Sequence, residues 1–596
     1  MPKSDSYFLL ELDDRLKKLH DRIVVVSSTL REEASDEETS DRDVTYGWIW
    51  GSIRHLTVGR QGRAVQHAKL WLLHWATSNG DEYIEVVVSS ANLTGSAFKQ
   101  QIQAAWRVCI QLQPQRSTTR LNSWGILPDF IQELAFASVG ERLRLDNFIE
   151  LLARADCPHG VTFIASVPGK HTRQELRRTP WGAAGLRKII PAGRGVVSAS
   201  VLSPFIGSWS EEGLLQWCAH FEGSPNLISL VWIGKDHPWA GDKPKWLLPK
   251  SSLDSLIESG TKLMHLRYEP NDSKRTDHFH DEHKVSDVRW SHAKVYAFRR
   301  GNSHRLLLTS ANFSKAAWGD EGRNGELSIE NFELGICIDQ ADWPFKGLSE
   351  MDANNAATSS DSLMRNSSLI SWAQASWDGK KISVECKCGH DLTGRILFGD
   401  NKPLSITKWS KRADGLLFAQ IPWVNAKRHP ISVLLTCKAE ILNVAVFDER
   451  KLKERESSFP TGIDEAVVEA IRDQLLFERY GGSVVSDDEP QSGNEDIPVD
   501  ATDMLDGYVE DQAGQSDSYA VDTFVIARRH LQVVDNWAGQ VNQAKSGSGE
   551  LVLETLKRDG RLLMEAFIRK AKRNGEDSTG TRLAAEEMEL RLKHFD

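Results

Sequence analysis

One pattern occurs twice in this chain, more than two hundred residues apart. "HAKLWLLHWATSNGDEYIEVVVSSAN" begins at His67, and "HAKVYAFRRGNSHRLLLTSAN" begins at His292. Each copy runs from His-Ala-Lys through two apolar stretches to Ser-Ala-Asn. The lysine and the serine are 21 residues apart in the first copy and 16 in the second, and the difference falls in a polar turn, where insertions cost little. Such internal repetition indicates a duplicated structural unit.

Each copy predicts a pair of neighbouring strands. The segments "QHAKLWLL" and "SHAKVYAF" contain no Gly or Pro and are rich in aromatic and aliphatic residues, as is typical of strands. A histidine and a lysine two residues apart lie on the same face of a strand. The following strand delivers the asparagine from its end. Two sets of side chains are therefore expected to converge at a sheet edge: His67, Lys69 and Asn92, and His292, Lys294 and Asn312.

These residue types suit the chemistry of a phosphate group. Lysine neutralises phosphate oxygens, and asparagine and the serines Ser90 and Ser310 offer neutral hydrogen-bond donors. Histidine acts as a nucleophile or as a general acid near neutral pH. Phosphoryl transfer depends mainly on positioning and charge stabilisation, which two such sets provide without a metal ion. One His-x-Lys on a strand would be a chance event, but two copies with matching Ser-x-Asn predict an active site.

At this level the chain resembles the phospholipase D superfamily, and within it the tyrosyl-DNA phosphodiesterases. The usual superfamily signature has an aspartate five residues after the lysine, whereas His74 and Arg299 stand there in this chain. The tyrosyl-DNA phosphodiesterases also lack that aspartate. Three further segments are similar to that family, and the resemblance spans residues 5–345: "FIASVPGKH" (163–171), "WGAAGLRKII" (181–190) and "TSANFSKAAWG" (309–319).

The resemblance implies an α/β fold with two pseudo-symmetric phospholipase D-like lobes, each a mixed sheet flanked by helices. It implies that His67 is the nucleophile that forms a covalent phosphohistidine, and that His292 protonates the leaving group and then activates water. Lys69, Lys294, Asn92 and Asn312 would hold the phosphate. Gln103 and Glu333 would orient the histidines, and Trp106 also matches the family pattern. Four serines are expected to contact the substrate, the last two of them a DNA strand: Ser90, Ser310, Ser166 and Ser208. No metal or cofactor is implied.

Several functions remain open at the level of sequence. The first is a metal-independent phosphodiesterase that removes a tyrosyl peptide or another adduct from a 3′ phosphate of DNA, preferably at single-stranded ends. The alternative is a nuclease of the same superfamily that cleaves DNA or RNA strands, as the effector of a bacterial defence or DNA-processing complex. A catalytically inactive binding module is disfavoured because both His-Lys-Asn sets are intact. Lipid hydrolysis is disfavoured because no membrane-binding amphipathic helix stands out.

Composition adds limits on location and partners. The chain of 596 residues is 40% apolar and 26% charged, as in soluble globular proteins, and no run approaches 18 apolar residues. Neither a signal peptide nor paired cysteine spacing is evident, so a cytoplasmic, DNA-associated location is expected. The net charge of −10 is local: eleven acidic residues and no Lys or Arg lie between Asp487 and Asp517, and without them the net charge is +1. A basic groove for DNA is therefore compatible with the composition.

Two clusters raise the question of a metal site. "ECKCGH" places Cys386, Cys388 and His390 at alternate positions, and Cys437 follows later in the chain. Zinc binding is an alternative here, but alternate positions on one strand face favour packing in a core. "DHFHDEH" (277–283) immediately precedes the second motif and suits a loop at the substrate entrance better than a metal site. The sequence therefore predicts no metal.

The expected domains follow the repeats and the composition. The two lobes would cover 1–195 and 196–345, and a Ser/Asn/Asp-rich linker 346–371. Beyond these lie a small β-sandwich at 372–449, a helical segment at 450–484, an acidic disordered linker at 485–521 and a helical module at 522–596. The sandwich and the helical module are candidates for binding a protein partner.

Overall fold

The structure is a computed structural model of the chain. It describes residues 22–28, 53–60, 64–77, 79–92, 101–139, 145–234, 237–238, 246–267, 290–339, 343–352, 369–389, 391–398, 402–425, 428–438, 440–450, 473, 476–477, 480, 523–547, 550–573 and 579–595. The His-rich segment 277–283, the acidic tract, His390 and most of the predicted linker and helical segment lie outside these residues.

Strands and helices alternate through the first two thirds of the described chain. The strands are β1 (Val24–Ser27), β2 (Arg54–Thr57), β3 (Val65–Gln66), β4 (Leu70–Ala76), β5 (Glu82–Ser89), β6 (Gln101–Ile102), β7 (Ala105–Gln111), β8 (Val161–Ser166), β9 (Gly169–His171), β10 (Val197–Leu202), β11 (Gly223–Gly234), β12 (Lys262–Arg267), β13 (Trp290–Ser291), β14 (Val295–Arg300), β15 (Ser303–Thr309), β16 (Asp320–Glu321), β17 (Leu327–Ile329), β18 (Asn331–Asp339), β19 (Ser349–Glu350), β20 (Ile370–Trp377), β21 (Lys381–Cys388), β22 (Thr393–Phe398), β23 (Leu404–Ser405), β24 (Ser410–Lys411), β25 (Leu417–Pro422), β26 (Pro430–Cys437) and β27 (Glu440–Asp448). The helices are α1 (Thr118–Ser123), α2 (Leu127–Val139), α3 (Asp146–Leu152), α4 (Arg173–Arg178), α5 (Glu211–Ala219), α6 (Lys250–Glu258), α7 (Lys315–Trp318), α8 (Thr523–Gly547), α9 (Glu550–Arg573) and α10 (Thr579–Phe595), with a 3₁₀ helix at Gly182–Ile189.

A mixed nine-stranded sheet is the centre of the α/β region. Its order is β19-β12-β11-β10-β14-β15-β18-β3, and β8 also pairs with β18. β8 comes from the first predicted lobe and β18 from the second, so the two halves of the chain share one sheet. The mixed α/β architecture expected from the sequence is present, whereas the division into lobes at residue 195 stays a prediction.

Side chains alternate across β18 and pack into separate cores. Phe332, Leu334 and Ile336 lie with Phe130 of α2 in one apolar cluster, while Cys337 lies with Trp217 of α5 in another. In a smaller sheet, β4-β5-β7, the inward side chains of β5 are part of the first cluster. Burial on both faces holds β18 firmly, and its first residues lie beside β3, which leads into the first motif.

An eight-stranded sheet between Ile370 and Asp448 contacts the first half of the chain. Its order is β23-β22-β26-β27-β20-β21-β25-β24. The Thr57 hydroxyl donates to the Ala373 carbonyl at 3.0 Å, and the Trp372 indole donates to the Thr57 carbonyl at 2.9 Å. The Arg60 guanidinium lies 5.3 Å from the Trp372 ring centre. The sheet is thus attached to the segment between β2 and the first motif.

The cysteines of "ECKCGH" lie in this sheet's core. Cys386 and Cys437 are fully buried, and Cys388 Sγ lies 3.2 Å from Cys437 Sγ. Burial raises the pKa of the Cys386 thiol to about 12 and that of Cys437 to about 11, which keeps both thiols protonated near neutral pH. Among the described side chains, no group of three or more His, Cys, Asp or Glu is arranged to hold a metal ion.

Three helices form the last described part of the chain. α8, α9 and α10 pack around a shared apolar core that includes Trp537, Phe567 and Met588. Tyr480, earlier in the chain, joins this core and donates a 2.8 Å hydrogen bond to Asp559. None of the described helices is long and apolar enough to cross a membrane.

We expect Gly182→Ala to destabilise the α/β region by about 3 kcal/mol. Gly182 has φ +57°, and a Cβ there would lie 2.4 Å from the Trp318 carbonyl oxygen and 2.8 Å from Ile329 Cδ1. The substitution therefore combines backbone strain with steric overlap between the new Cβ and its neighbours, at the point where "WGAAG" packs on α7. Thermal unfolding of the variant measures the loss. Gly539→Ala in α8, where a Cβ meets nothing within 4 Å, is the control and should be neutral or slightly stabilising. A Gly182→Ala protein with an unchanged melting temperature would contradict the expectation.

Candidate active site

Both His-Ala-Lys segments interrupt a strand instead of continuing it. Residues 67–69 separate β3 from β4, and residues 292–294 separate β13 from β14. The prediction of one continuous strand over each motif was wrong, because the chain changes partner at the histidine. Val65–Gln66 pairs in parallel with Asn331–Phe332, whereas Trp290–Ser291 pairs in parallel with Gln101–Ile102.

The two copies of the motif form the same pattern of backbone hydrogen bonds. The His67 amide donates to the Phe332 carbonyl at 3.1 Å, and the His292 amide donates to the Ile102 carbonyl at 3.0 Å. Each lysine carbonyl then accepts from the end of the next strand: Lys69 from Ser89 at 3.0 Å and Lys294 from Thr309 at 3.1 Å. Each histidine is therefore bonded to a strand that belongs to the other copy, which brings the two motifs together.

The His67 ring is held by a buried carboxylate. His67 Nδ1 lies 2.8 Å from Glu333 Oε1 and 2.9 Å from Oε2. A carboxylate only accepts, so Nδ1 carries a proton, and in the neutral ring the free lone pair is on Nε2. Ser310 Oγ donates to Glu333 Oε2 at 2.5 Å, and Asn331 Nδ2 donates to Oε1 at 3.1 Å. These contacts fix the orientation of the Glu333 carboxylate and, through Nδ1, that of the His67 ring.

Electrostatics keep Glu333 ionised. Burial by itself raises the pKa of this carboxyl, but attraction to His67, the hydrogen bond from His67, attraction to Lys69 and the hydrogen bond from Ser310 outweigh it and lower the pKa. Glu333 is therefore a carboxylate at neutral pH although its side chain is only 2% exposed. A fixed negative charge beside Nδ1 stabilises positive charge that develops on the ring when Nε2 forms a bond.

His292 contacts two neutral groups and a lysine, and no carboxylate is among these contacts. Its Nδ1 lies 3.1 Å from the Ser90 carbonyl oxygen and 3.4 Å from Gln103 Nε2. Lys294 Nζ lies 2.8 Å from His292 Nε2. The Gln103 amide is itself fixed, because its Nε2 donates to Gln101 Oε1 at 2.9 Å and its Oε1 accepts from Ser90 Oγ at 2.7 Å. The two histidines thus differ: one is paired with a carboxylate and the other with an amide and a carbonyl.

Each lysine lies close to the histidine of its own motif, and each asparagine follows the second strand of its copy. Lys294 is fully buried, and Lys69 is 9% exposed with its Nζ 2.8 Å from the His67 carbonyl oxygen. Two buried ammonium groups near the histidines favour an anion such as phosphate. Asn312 is buried and its amide oxygen has no hydrogen-bond partner among the described residues. Asn92 is half-buried at the equivalent position of the first copy.

The serines that were predicted to contact a substrate lie in different surroundings. The Ser90 hydroxyl donates to Gln103 and the Ser310 hydroxyl donates to Glu333, so both serines support the groups that hold the histidines. Ser166 is buried and pairs in register with Glu333 across β8 and β18. Ser208 is exposed, two residues after the bridge between Ile206 and Phe313. Substrate contact by these serines stays a prediction.

Four residues that the sequence analysis did not single out complete the site. The Asn331 side chain is hydrogen-bonded to Glu333, and the Gln101 side chain is hydrogen-bonded to Gln103. Tyr296 Oη donates to the Ala311 carbonyl at 3.1 Å and accepts from the Trp318 indole at 2.9 Å, which fixes the backbone next to Asn312. Residues i and i+2 share a strand face, so the pairs Asn331/Glu333 and Gln101/Gln103 could have been proposed from spacing alone.

Comparison with known proteins gives a consistent picture. A family model described as tyrosyl-DNA phosphodiesterase matches residues 4–201 and 255–378, which is more than half of the chain. Tyrosyl-DNA phosphodiesterase 1 of Drosophila melanogaster is 26% identical over 300 residues, covering 46% of this chain and 50% of that protein. Tyrosyl-DNA phosphodiesterase 1 of Arabidopsis thaliana is 31% identical over 191 residues, covering 30% of each chain. The chain thus spans half or less of the length of these relatives.

Among solved structures, polyphosphate kinase from Porphyromonas gingivalis matches with a TM-score of 0.26 and 9% identity, over 55% of this chain and 38% of that one. A likeness this weak carries no conclusion about function.

Proposed function

The chain belongs to the tyrosyl-DNA phosphodiesterase family, and we propose that it hydrolyses adducts attached to the 3′ phosphate of DNA through a covalent phosphohistidine. The observation that carries the proposal is the pairing of His67 with Glu333. A protonated Nδ1 on a buried carboxylate leaves Nε2 ready to attack phosphorus. Two buried lysines next to the histidines suit the charge of a phosphodiester.

The proposed reaction has two steps. His67 Nε2 attacks the phosphorus, the bond from phosphorus to the leaving oxygen breaks, and His292 gives that oxygen a proton. Water then attacks the phosphohistidine while His292 accepts a proton from it, and the phosphorus–nitrogen bond breaks to release a 3′ phosphate. Lys69, Lys294, Asn92 and Asn312 would stabilise the charge on the non-bridging oxygens in both steps. No step in this scheme draws on a metal or a cofactor.

A second candidate is a nuclease that cleaves within DNA or RNA strands. The observation that favours it is the part of the chain beyond residue 378, which the family model does not match and which includes most of the eight-stranded sheet and the three helices α8–α10. Added domains of this kind serve to recruit partners or substrates, as in the effector of a defence or DNA-processing complex. Both candidates have a nucleic acid as the partner and are compatible with an intracellular, DNA-associated location.

The substrate is tested in excess EDTA with two 5′-labelled DNA strands and an internally labelled closed circle. One of the two strands ends in a 3′-phosphotyrosine and the other is plain. A 5′-labelled RNA copy of the plain strand is the fourth substrate. We expect removal of tyrosine and no cleavage of the circle. Cuts in the circle or in RNA would establish the nuclease instead. Activity that disappears in EDTA and returns with a divalent cation would overturn the proposed chemistry.

A further inference from the structure

Two polar side chains stand directly behind the groups that hold the histidines. Asn331 precedes Glu333 by two residues and pairs in register with Val65, just before His67. Gln101 precedes Gln103 by two residues and pairs in register with Trp290, just before His292. The two positions are equivalent in the duplicated site, although the residues differ.

We propose that Asn331 and Gln101 are positioning residues, each of which fixes the partner of one histidine, so that the two steps of the reaction depend on different members of the pair. The inference rests on the proposed function. It concerns side chains that act through Glu333 and Gln103 and that do not themselves touch the reacting atoms.

The Asn331 side chain is oriented as a hydrogen-bond donor to Glu333. Its side chain is buried, its Nδ2 donates to Glu333 Oε1 at 3.1 Å, and its Oδ1 has no partner among the described residues. A flipped amide would bring its oxygen against a carboxylate oxygen, so the orientation with Nδ2 toward Glu333 is the stable one. Burying an amide oxygen without a hydrogen bond lowers the stability of the folded protein, and the hydrogen bond from Nδ2 to Glu333 offsets part of that loss.

The donor from Asn331 completes the environment that keeps Glu333 charged. The titratable and charged groups that face this carboxylate are His67, Lys69 and Tyr296, and Ser310 adds a neutral donor. Hydrogen bonds to the ionised form lower the pKa of a carboxyl, so removing one raises it. Without Asn331, Glu333 would become protonated at a higher pH and would release its hold on Nδ1 of His67.

Gln101 acts on the His292 side of the site. Its Oε1 accepts from Gln103 Nε2 at 2.9 Å, while Ser90 holds the other end of the same amide. With both ends fixed, Gln103 presents Nε2 toward His292 Nδ1 at 3.4 Å. Glu333 takes no part in these contacts, so loss of Gln101 should disturb the placement of His292 without moving the pH dependence that Glu333 sets.

The test compares Asn331→Leu with Gln101→Leu on an oligonucleotide that carries a 3′-nitrophenyl phosphate. Nitrophenolate leaves without being protonated, so its burst reports attack by His67, and the later steady state reports hydrolysis of the adduct through His292. We expect Asn331→Leu to slow the burst by about 10-fold and to shift the acid limb of its pH profile upward. Gln101→Leu should keep the burst and its pH profile, slow the steady state by about 10-fold and accumulate adduct.

Two comparisons keep the outcome decisive. Asn331→Asp, nearly the same size, places a second carboxylate beside Glu333 and should shift the acid limb further; it replaces Asn331→Leu if that variant does not fold. The inference would be overturned if all folded variants kept the burst, the steady-state rate and the pH profile of the wild type while His67→Ala was inactive. Full activity of His67→Ala would instead overturn the proposed function.

Discussion

Replacing His67 by alanine is expected to reduce cleavage of a 3′-phosphotyrosyl strand by about 10⁴-fold or more. The reason is the loss of the only atom proposed to attack phosphorus, Nε2, which is the ring nitrogen not bound to the Glu333 carboxylate. The remaining groups could still bind the phosphate, so affinity for the substrate should fall far less than the rate. Single-turnover rates and substrate affinity, measured on the same oligonucleotide, separate the two effects.

The matched control is His74→Ala. His74 lies on β4, seven residues after His67, with its side chain exposed and paired with Glu82 at 3.0 Å. It should keep wild-type activity, because it contacts none of the groups that hold the motif histidines. If His67→Ala retained activity within about 10-fold of wild type, the chain would use another nucleophile, since loss of a true nucleophile costs several orders of magnitude.

The sequence predicted which residues lie together in the candidate site better than it predicted the hydrogen bonds between them. The repeated His-x-Lys and Ser-x-Asn identified His67, Lys69, His292 and Lys294 as a group, because two copies of a rare pattern are hard to explain otherwise. The expectation that Glu333 orients one of the histidines came from the family resemblance, and its pairing with His67 came from the structure. A separation of 266 residues between the two partners leaves no local signal in one sequence.

The strand over each motif was mispredicted for a related reason. "QHAKLWLL" has the composition of a continuous strand, and composition carries no information about a change of partner. The break arises because the His67 amide bonds to Phe332, on the strand that carries Glu333. Side-chain direction was equally hidden: the pattern Ser-x-Asn predicted a phosphate contact for Ser310, and its hydroxyl bond to Glu333 could not be read from the sequence.

The duplicated unit also explains why one sheet contains strands of both halves. Each motif needs the first residues of a strand from the other copy, Asn331–Phe332 in one case and Gln101–Ile102 in the other. A single half would leave its histidine without the partner of Nδ1 and with unpaired backbone groups at the strand break. Duplication within one chain therefore supplies both histidines and both supports in fixed register, without a second subunit.

Replacing His292 by alanine is expected to trap the covalent intermediate. With a 3′-nitrophenyl phosphate substrate the first step needs no acid, so His67 should still react and release close to one nitrophenolate per active site. Hydrolysis of the adduct then lacks its general base, and the steady-state rate should fall by about 100-fold or more. A denaturing gel should show labelled DNA attached to the protein.

The double variant His67→Ala/His292→Ala is the control and should form no adduct, because the attacking nitrogen is absent. The prediction rests on the difference between the two histidines, one bound to the Glu333 carboxylate and the other to the Ser90 carbonyl and Gln103. Adduct that appears in His67→Ala and not in His292→Ala would reverse the two roles. Absence of adduct from every variant, with activity retained in the wild type, would mean that water attacks phosphorus directly and that the charge on Glu333 serves a general base and not a nucleophile.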